Sequence, residues 1–395
     1  MKPDFDKVID RRGTAARKWD YLKEAFGPET PDDCLPLWVA DMDFAVPAEV
    51  VEILAKRVEH GIFGYTGPQK DCLQVVHDYI DRHYHWDIQE EWVEFGPGVV
   101  PILSLAVEAF SKPGDKIMTV SPVYPPFFNV IKEQERELVA IPLKNDGLEV
   151  SMDFEAMEKA VDKACKVFLL CSPHNPCGRI WSKEELTQLG EFCCRHDLKL
   201  VSDEIHADFI YSGNSHYSIA SLDENFADRS VTCYAPSKTF NVAGLSAAVA
   251  IIPNEEMRNE FKNLMRKRHL SVALFGYEGL RACWAHGDEW LKELLCYLEG
   301  NRNYLVEAIQ KECPEIHCCA PQATYLLYLD CRELMKKKGL ANSEELAHFM
   351  LTKARIALNN GRAYGPEGEG FMRLNFACPR SILEEAVKRL AEACR

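Results

Sequence analysis

Four short apolar runs in the middle of the chain each stop at a polar loop, and this pattern limits the fold more than any other feature. Lys116–Val120 precedes Ser-Pro-Val-Tyr-Pro-Pro. Val167–Leu170 precedes Cys-Ser-Pro-His-Asn-Pro-Cys-Gly. Leu198–Val201 precedes Ser-Asp-Glu-Ile-His, and Val231–Tyr234 precedes Ala-Pro-Ser-Lys. Runs of this length, bounded by turn residues, predict strands. Between two of them, Ser182-x-x-Glu185 has the form of a capping box, with Leu186, Leu189, Phe192 and Cys193 following at helical spacing. Strands alternating with helices predict an α/β fold of three layers, with a mostly parallel sheet covered on both faces. Ligands in such sheets gather at the carboxyl ends of the strands. Tyr124, Asn175, Asp203 and Lys238 fall at those ends.

A chain of 395 residues outgrows a single hydrophobic core. From about Trp290 the pattern changes to long amphipathic helices, over 291–312 and 343–355, around a strand over 324–329 and a closing strand over 371–377. The expected division is a large α/β domain over 46–289 and a smaller α+β domain built from 1–45 and 290–395.

Composition narrows the class. Lys and Arg number 46 against 61 Asp and Glu, a net charge of −15. That balance argues against nucleic acid as a partner. The longest uncharged run, Thr239–Asn254, is too short and too polar to span a bilayer, so no membrane partner is expected. The N-terminal MKPDFDKVIDRRG lacks the apolar stretch of an export signal. Sixteen cysteines without a C-x-x-C spacing read as reduced core fillers of a cytoplasmic protein, with no structural metal expected.

Several residues carry chemistry in pattern. Lys238 follows an apolar strand, which draws it inward. Its stem can pack while the ammonium reaches solvent, or its amine can be buried, lose affinity for its proton and become a nucleophile. Asp203 ends the preceding strand; it is either a strand-end cap or a buried carboxylate that needs a cationic partner. Asn175 sits between two prolines and a glycine, a loop rigid enough to aim one amide and also an ordinary turn. Tyr124 can stack on a planar ring or fill the core. Gly96-Pro97-Gly98-Val99-Val100 opens an apolar helix whose first N–H groups suit a phosphate.

Taken together, Gly98, Tyr124, Asn175, Asp203, Lys238 and Arg373 resemble, in order and spacing, the fold-type I pyridoxal-phosphate enzymes of the class I/II aminotransferase kind. The resemblance runs from about residue 5 to the end. Arg12-Gly13-Thr14, Lys18-Trp19-Asp20, Leu37-Trp38-Val39-Ala40-Asp41-Met42-Asp43-Phe44, Asp203-Glu204-Ile205-His206 and Ala235-Pro236-Ser237-Lys238-Thr239-Phe240-Asn241 are similar to one branch, the MalY/PatB carbon–sulfur β-lyases of the cystathionine β-lyase kind. The resemblance implies pyridoxal 5′-phosphate as cofactor. It makes Lys238 the Schiff-base lysine, Asp203 the partner of the pyridine nitrogen, Asn175 the donor to the ring phenolate and Tyr124 the stacking aromatic. Gly98, Val99 and Val100 become the phosphate-binding helix start, with Ser237 and His206 beside the cofactor. Arg373 becomes the fork for the substrate α-carboxylate, with Val39 and Ala40 near it. Tyr65, in Gly64-Tyr65-Thr66-Gly67, becomes a tyrosine that a second subunit lends to the phosphate, which implies a homodimer with shared sites.

Four positions depart from the aminotransferase pattern. His206 stands where Tyr is common, Ser246 where a phosphate-binding Arg is common, and Val99 and Val100 where Ser or Thr is frequent. The departures agree with the lyase branch. The expected reaction is α,β-elimination from an amino acid with a sulfur leaving group. Transamination on the same residues and a regulatory role for a cofactor-binding protein are the competing expectations.

Overall fold

The computed structural model describes residues 3–145 and 149–395. Seven strands form the central sheet: β1 (Val93–Gly96), β2 (Lys116–Ser121), β3 (Glu137–Pro142), β4 (Cys165–Cys171), β5 (Lys199–Asp203), β6 (Ser230–Tyr234) and β7 (Ala248–Ile251). Their spatial order is β1-β7-β6-β5-β4-β2-β3. The ladders from β6 to β3 are parallel; β7 runs antiparallel to both β1 and β6. The four apolar runs predicted as strands correspond to β2, β4, β5 and β6. The reversed strand β7, inside the uncharged run 239–254, was not anticipated.

Residue alternation along the strands sets the layers. In β4, Val167, Leu169 and Cys171 pack with Ile102, Leu103 and Val107 of one helix, Val99–Phe110. Phe168 and Leu170 point the other way, onto Leu186, Leu189 and Phe192 of the helix Lys183–Arg195. At the far end, Val249 and Ile251 of β7 meet Tyr79 and Ile80 of Cys72–Tyr84 and Leu280 and Trp284 of Leu274–His286. Helices therefore cover both faces, as a buried, mostly parallel sheet requires.

A second sheet of three antiparallel strands, β8 (Leu326–Asp330), β9 (Asn359–Asn360) and β10 (Phe371–Asn375), has β10 at its centre. It packs with the helices Asp288–Glu312 and Arg380–Cys394. The N-terminal segment joins this region: Leu35 and Pro36 pair in parallel with Ile356 and Ala357. The strand expected from 324 begins at Leu326, because Thr324 has φ +69° and turns the chain. The helix expected over 343–355 ends at Thr352, just before Arg355 with φ +56°. All sixteen cysteines are free thiols and twelve are buried.

The capping box at Ser182 forms as expected. Ser182 Oγ accepts from the Glu185 N–H at 3.2 Å, and the Glu185 carboxylate accepts from the Ser182 N–H at 2.9 Å. Removing the hydroxyl leaves an unsatisfied helix donor, which costs about 1 kcal/mol. Ser182→Ala is expected to lower the thermal midpoint by a few degrees at most while leaving catalytic constants unchanged, since neither Ser182 nor Glu185 lines the cavity described next. Scanning calorimetry and steady-state kinetics measure the two effects.

Candidate active site

The chain leaves β2 for β3 on one side, then crosses back to β4 on the other. This reversal opens a crevice at the carboxyl ends of the strands. Tyr124 follows β2, Asn175 follows β4, Asp203 ends β5, and Lys238 lies in the short helix Pro236–Thr239 after β6. All four line one cavity of about 190 Å³, together with Gly98, Val99, Val100, His206, Ser237 and Ala40. Every cofactor-binding residue expected from the sequence is therefore a wall of the same cavity. Pro101, Cys171 and Ile205 complete it.

Burial dominates the electrostatics. Asp203 is 3% exposed and accepts a hydrogen bond from the Ile205 N–H at 3.1 Å. Burial pushes its carboxyl up to about 7, against the pull of that N–H and of the Lys238 charge. Burial pushes the Lys238 amine down to about 8, with Asp41 opposing and Arg373 adding to the fall. His206 is pushed down to about 3 by burial and by the positive charges of Lys238 and Arg373, which leaves a neutral imidazole. Its Nδ1 has no hydrogen-bond partner among the described residues.

Arg373, at the centre of β10, is 3% exposed. It donates to Asn175 Oδ1 at 3.1 Å, to the Trp38 carbonyl at 2.8 Å and to Asn359 Oδ1 at 2.7 Å. Its guanidinium lies over the Tyr364 ring, 5.2 Å from the centroid. A guanidinium only donates, so the amide oxygen of Asn175 must face it, and the amide nitrogen is the end left for the cavity. Arg373 is thus one hydrogen bond behind the cavity wall.

The segment 37–44 closes the opposite side. Lys238 Nζ donates to the Ala40 carbonyl at 2.7 Å, and the Tyr325 hydroxyl donates to the same oxygen at 2.9 Å. Asn375 donates to the carbonyls of Val39 and Asp41, each at 2.6 Å. Asn241 donates to those of Met42 and Phe44 and accepts from the Met42 N–H. Val39, expected near the substrate, is not a wall of this cavity, and its carbonyl accepts from Asn375. Tyr65 is wholly exposed and does not reach the cavity of its own chain. Tyr325, Asn241 and Asn375 were not anticipated as site residues. Asn375 could have been found: it lies two positions from Arg373 on one strand, so their side chains share a face.

These residues fit pyridoxal phosphate. The decisive observation is Asp203, a buried carboxylate with no cation within ion-pair distance among the described residues. Such a group is suited to a protonated ring nitrogen. At the other end, the helix Val99–Phe110 starts without a side-chain cap, and Gly98 holds φ +149°. Its free N–H groups suit a phosphate. Among the described residues lining the cavity, Lys238 is the sole Lys or Arg, so a phosphate there would rely on backbone donors and Ser237.

The sheet order and a lysine-and-aspartate cavity at its carboxyl edge define an α/β enzyme of the aminotransferase-like architecture. The profile of the family described as aminotransferase class I and II matches residues 32–390, and the chain belongs to that family. It is 41% identical to cystathionine beta-lyase PatB of Bacillus subtilis (strain 168), over 99% of both chains. Among solved structures, cystalysin from Treponema denticola, which contains pyridoxal 5′-phosphate, superposes with a TM-score of 0.95. It is 36% identical, covering 100% of this chain and 99% of that one. A PLP-bound putative aminotransferase from Clostridium difficile 630 matches with the same TM-score and identity, over 100% of both chains.

The Asp203 carboxyl titrates near 7 when folded and near 3.8 when unfolded. The folded state therefore holds the proton more tightly. The resulting stabilisation is complete below about 3.8 and is lost as pH rises through 7. In the cofactor-free protein, Asp203→Asn should be more stable than the wild type near pH 8, by the order of a few kcal/mol. The gap should close toward pH 4. Denaturant midpoints at the two pH values measure this; a gap independent of pH is the contrary result.

Proposed function

We propose that the protein is a pyridoxal-phosphate-dependent carbon–sulfur β-lyase. It takes L-cystathionine or a related cysteine S-conjugate and, with one water, gives thiol (homocysteine from cystathionine), pyruvate and ammonia. The observation that carries this reading is the pairing, in one cavity, of a buried amine at Lys238 with a buried, unpaired carboxylate at Asp203. The 41% identity to a cystathionine β-lyase supports the choice of reaction.

When bound, pyridoxal phosphate supplies an aldehyde for the amino group and a protonated ring that takes up the electrons of the breaking Cα–H bond. Asp203 would hold the ring nitrogen protonated, and Asn175 would donate its amide to the ring phenolate. Tyr124 would stack on the ring, and His206 would stay neutral beside it. Gly98, Val99, Val100 and Ser237 would hold the phosphate. Arg373 would fork onto the substrate α-carboxylate. Lys238 would hold the aldehyde at rest, and its amine would be free once a substrate amino group takes that place. Its amine, poised near 8, then removes the α-proton. The β-thiolate leaves and takes a proton from Lys238 or from Tyr65 of a second subunit. Incubating the holoenzyme with L-cystathionine and with S-methyl-cysteine, without added keto acid, should release pyruvate, ammonia and thiol in equal amounts. Turnover only when a keto acid is supplied would favour transamination.

We further propose a homodimer with shared sites. Val51, Val58, Ile62, Phe63 and Tyr65 expose apolar side chains on the helix Ala48–Glu59 and the loop after it, a face that a second copy would cover. The division into 46–289 and 1–45 with 290–395 has the support of the two separate sheets. The reduced thiols and net charge of −15 support a cytoplasmic setting. No helix among the described residues is long and apolar enough to cross a membrane. Lys238→Ala and Tyr65→Ala should each be nearly inactive. Mixed under exchange conditions in equal amounts, they should recover about a quarter of the native sites, the fraction that two-fold pairing leaves with neither lesion. No recovery despite mixed dimers in native mass spectra would place Tyr65 within its own site.

A further inference from the structure

We propose that the Arg11–Asp41 ion pair is the positioning device for the Lys238 amine: it fixes the Ala40 carbonyl on which the amine rests and sets the charge beside it. The inference rests on Lys238 being the group that moves the α-proton.

The geometry begins with the 2.7 Å bond from Lys238 Nζ to the Ala40 carbonyl. A neutral amine that donates one N–H to a fixed oxygen has its lone pair directed elsewhere. The perch therefore orients the base whenever it is not covalently engaged. The perch in turn depends on Asp41, the next residue. Arg11 grips it with both guanidinium nitrogens, at 3.1 Å to Oδ1 and 2.8 Å to Oδ2. The same guanidinium reaches Asp43 Oδ1 at 2.7 Å and the Met42 carbonyl at 3.0 Å. Lys18, wholly buried, bonds Asp43 Oδ2 at 2.7 Å and the Asp41 carbonyl at 3.4 Å. The Trp19 indole completes Asp43 at 2.9 Å.

Two cations and two carboxylates gathered at one loop contribute little net stability, because desolvation offsets most of their attraction. What they provide is position. They also bear on the amine electrically. The charged groups facing Lys238 are Asp41, Asp203 and Arg373; His206, Tyr124 and Tyr325 face it as neutral titratable groups. Asp41 is the largest opponent of the burial that lowers the amine. Arg11, clamped on Asp41, screens that carboxylate. The two members of the pair therefore act on Lys238 with opposite sign, which a merely structural role would not produce.

The test uses that sign. In the full-length chain stripped of cofactor, acylation of Lys238 by acetic anhydride is followed against pH by peptide mapping. The wild-type midpoint is expected near 8. Asp41→Asn should lower it by roughly one unit, and Arg11→Gln should raise it by roughly half a unit. Asp41→Glu should restore it. Arg11→Met, which removes the charge but keeps much of the stem's volume, serves as the second variant if Arg11→Gln fails to fold. In the holoenzyme the acid limb of kcat should move the same way, with kcat down about tenfold and KM within twofold for Asp41→Asn. Shifts of the same sign, or none, in the two variants would overturn the proposal. Turnover that survives Lys238→Ala would instead overturn the assignment of the base, while leaving the labelling result in place.

Discussion

Asp203 is a carboxylate taken out of water without a cation to meet it, and most of the site is arranged around that condition. The residue ends the strand β5, flanked by β4 and β6, where backbone ladders on both sides exclude solvent. A carboxyl there holds its proton up to about 7. Any ligand that brings a positively charged nitrogen would relieve the strain of ionising it. Lys238, one strand over, faces the converse problem, since the same burial makes its charged form costly. One apolar wall thus gives an acid reluctant to ionise and an amine ready to lose its proton. No special chemistry is needed beyond placing both at the dry end of a parallel sheet.

The segment 37–44 makes the two halves of the molecule act as one at this site. Its carbonyls are taken by Asn375 and Arg373 from the three-stranded sheet, by Lys238 and Asn241 from the short helix after β6 and the turn that follows it, and by Arg11 and Lys18 from the N-terminal segment. An irregular segment must satisfy its backbone somewhere. Here the partners are the residues that flank the lysine and the arginine. The distance between amine and guanidinium is therefore held by a strip of peptide, which moves only if several hydrogen bonds break together.

Strand-and-loop punctuation made the central sheet legible, since each apolar run ended where a wall residue began. Tyr124, Asn175, Asp203 and Lys238 followed because sheet physics places ligands at those ends, whereas His206 and Ser237 came from the family resemblance. The reversed strand β7 escaped because Ala248–Ile251 carries no loop residue of chemical interest, and direction is not encoded in an apolar run. The ends of two small-region elements were misplaced where Thr324 and Arg355 adopt left-handed conformations that their residue types do not announce. The lacing of the 37–44 segment was beyond reach for another reason: Asn241 and Asn375 act on backbone nearly two hundred and more than three hundred residues away. Side-chain amides aimed at distant carbonyls leave no local pattern.

The cavity wall also contains a sulfur atom. Cys171 ends β4, is 2% exposed and has its thiol held well above the usual cysteine range by burial and by the charge of Asp203. Exchange with a disulfide, and attack on one, require the thiolate. A disulfide-containing amino acid admitted beside Cys171 meets a sulfur that stays protonated at neutral pH. The same low-dielectric wall that readies the amine of Lys238 thus passivates its neighbour. A site built this way resists exchange with a disulfide that enters it, and can share its cavity with a cysteine without becoming a redox protein.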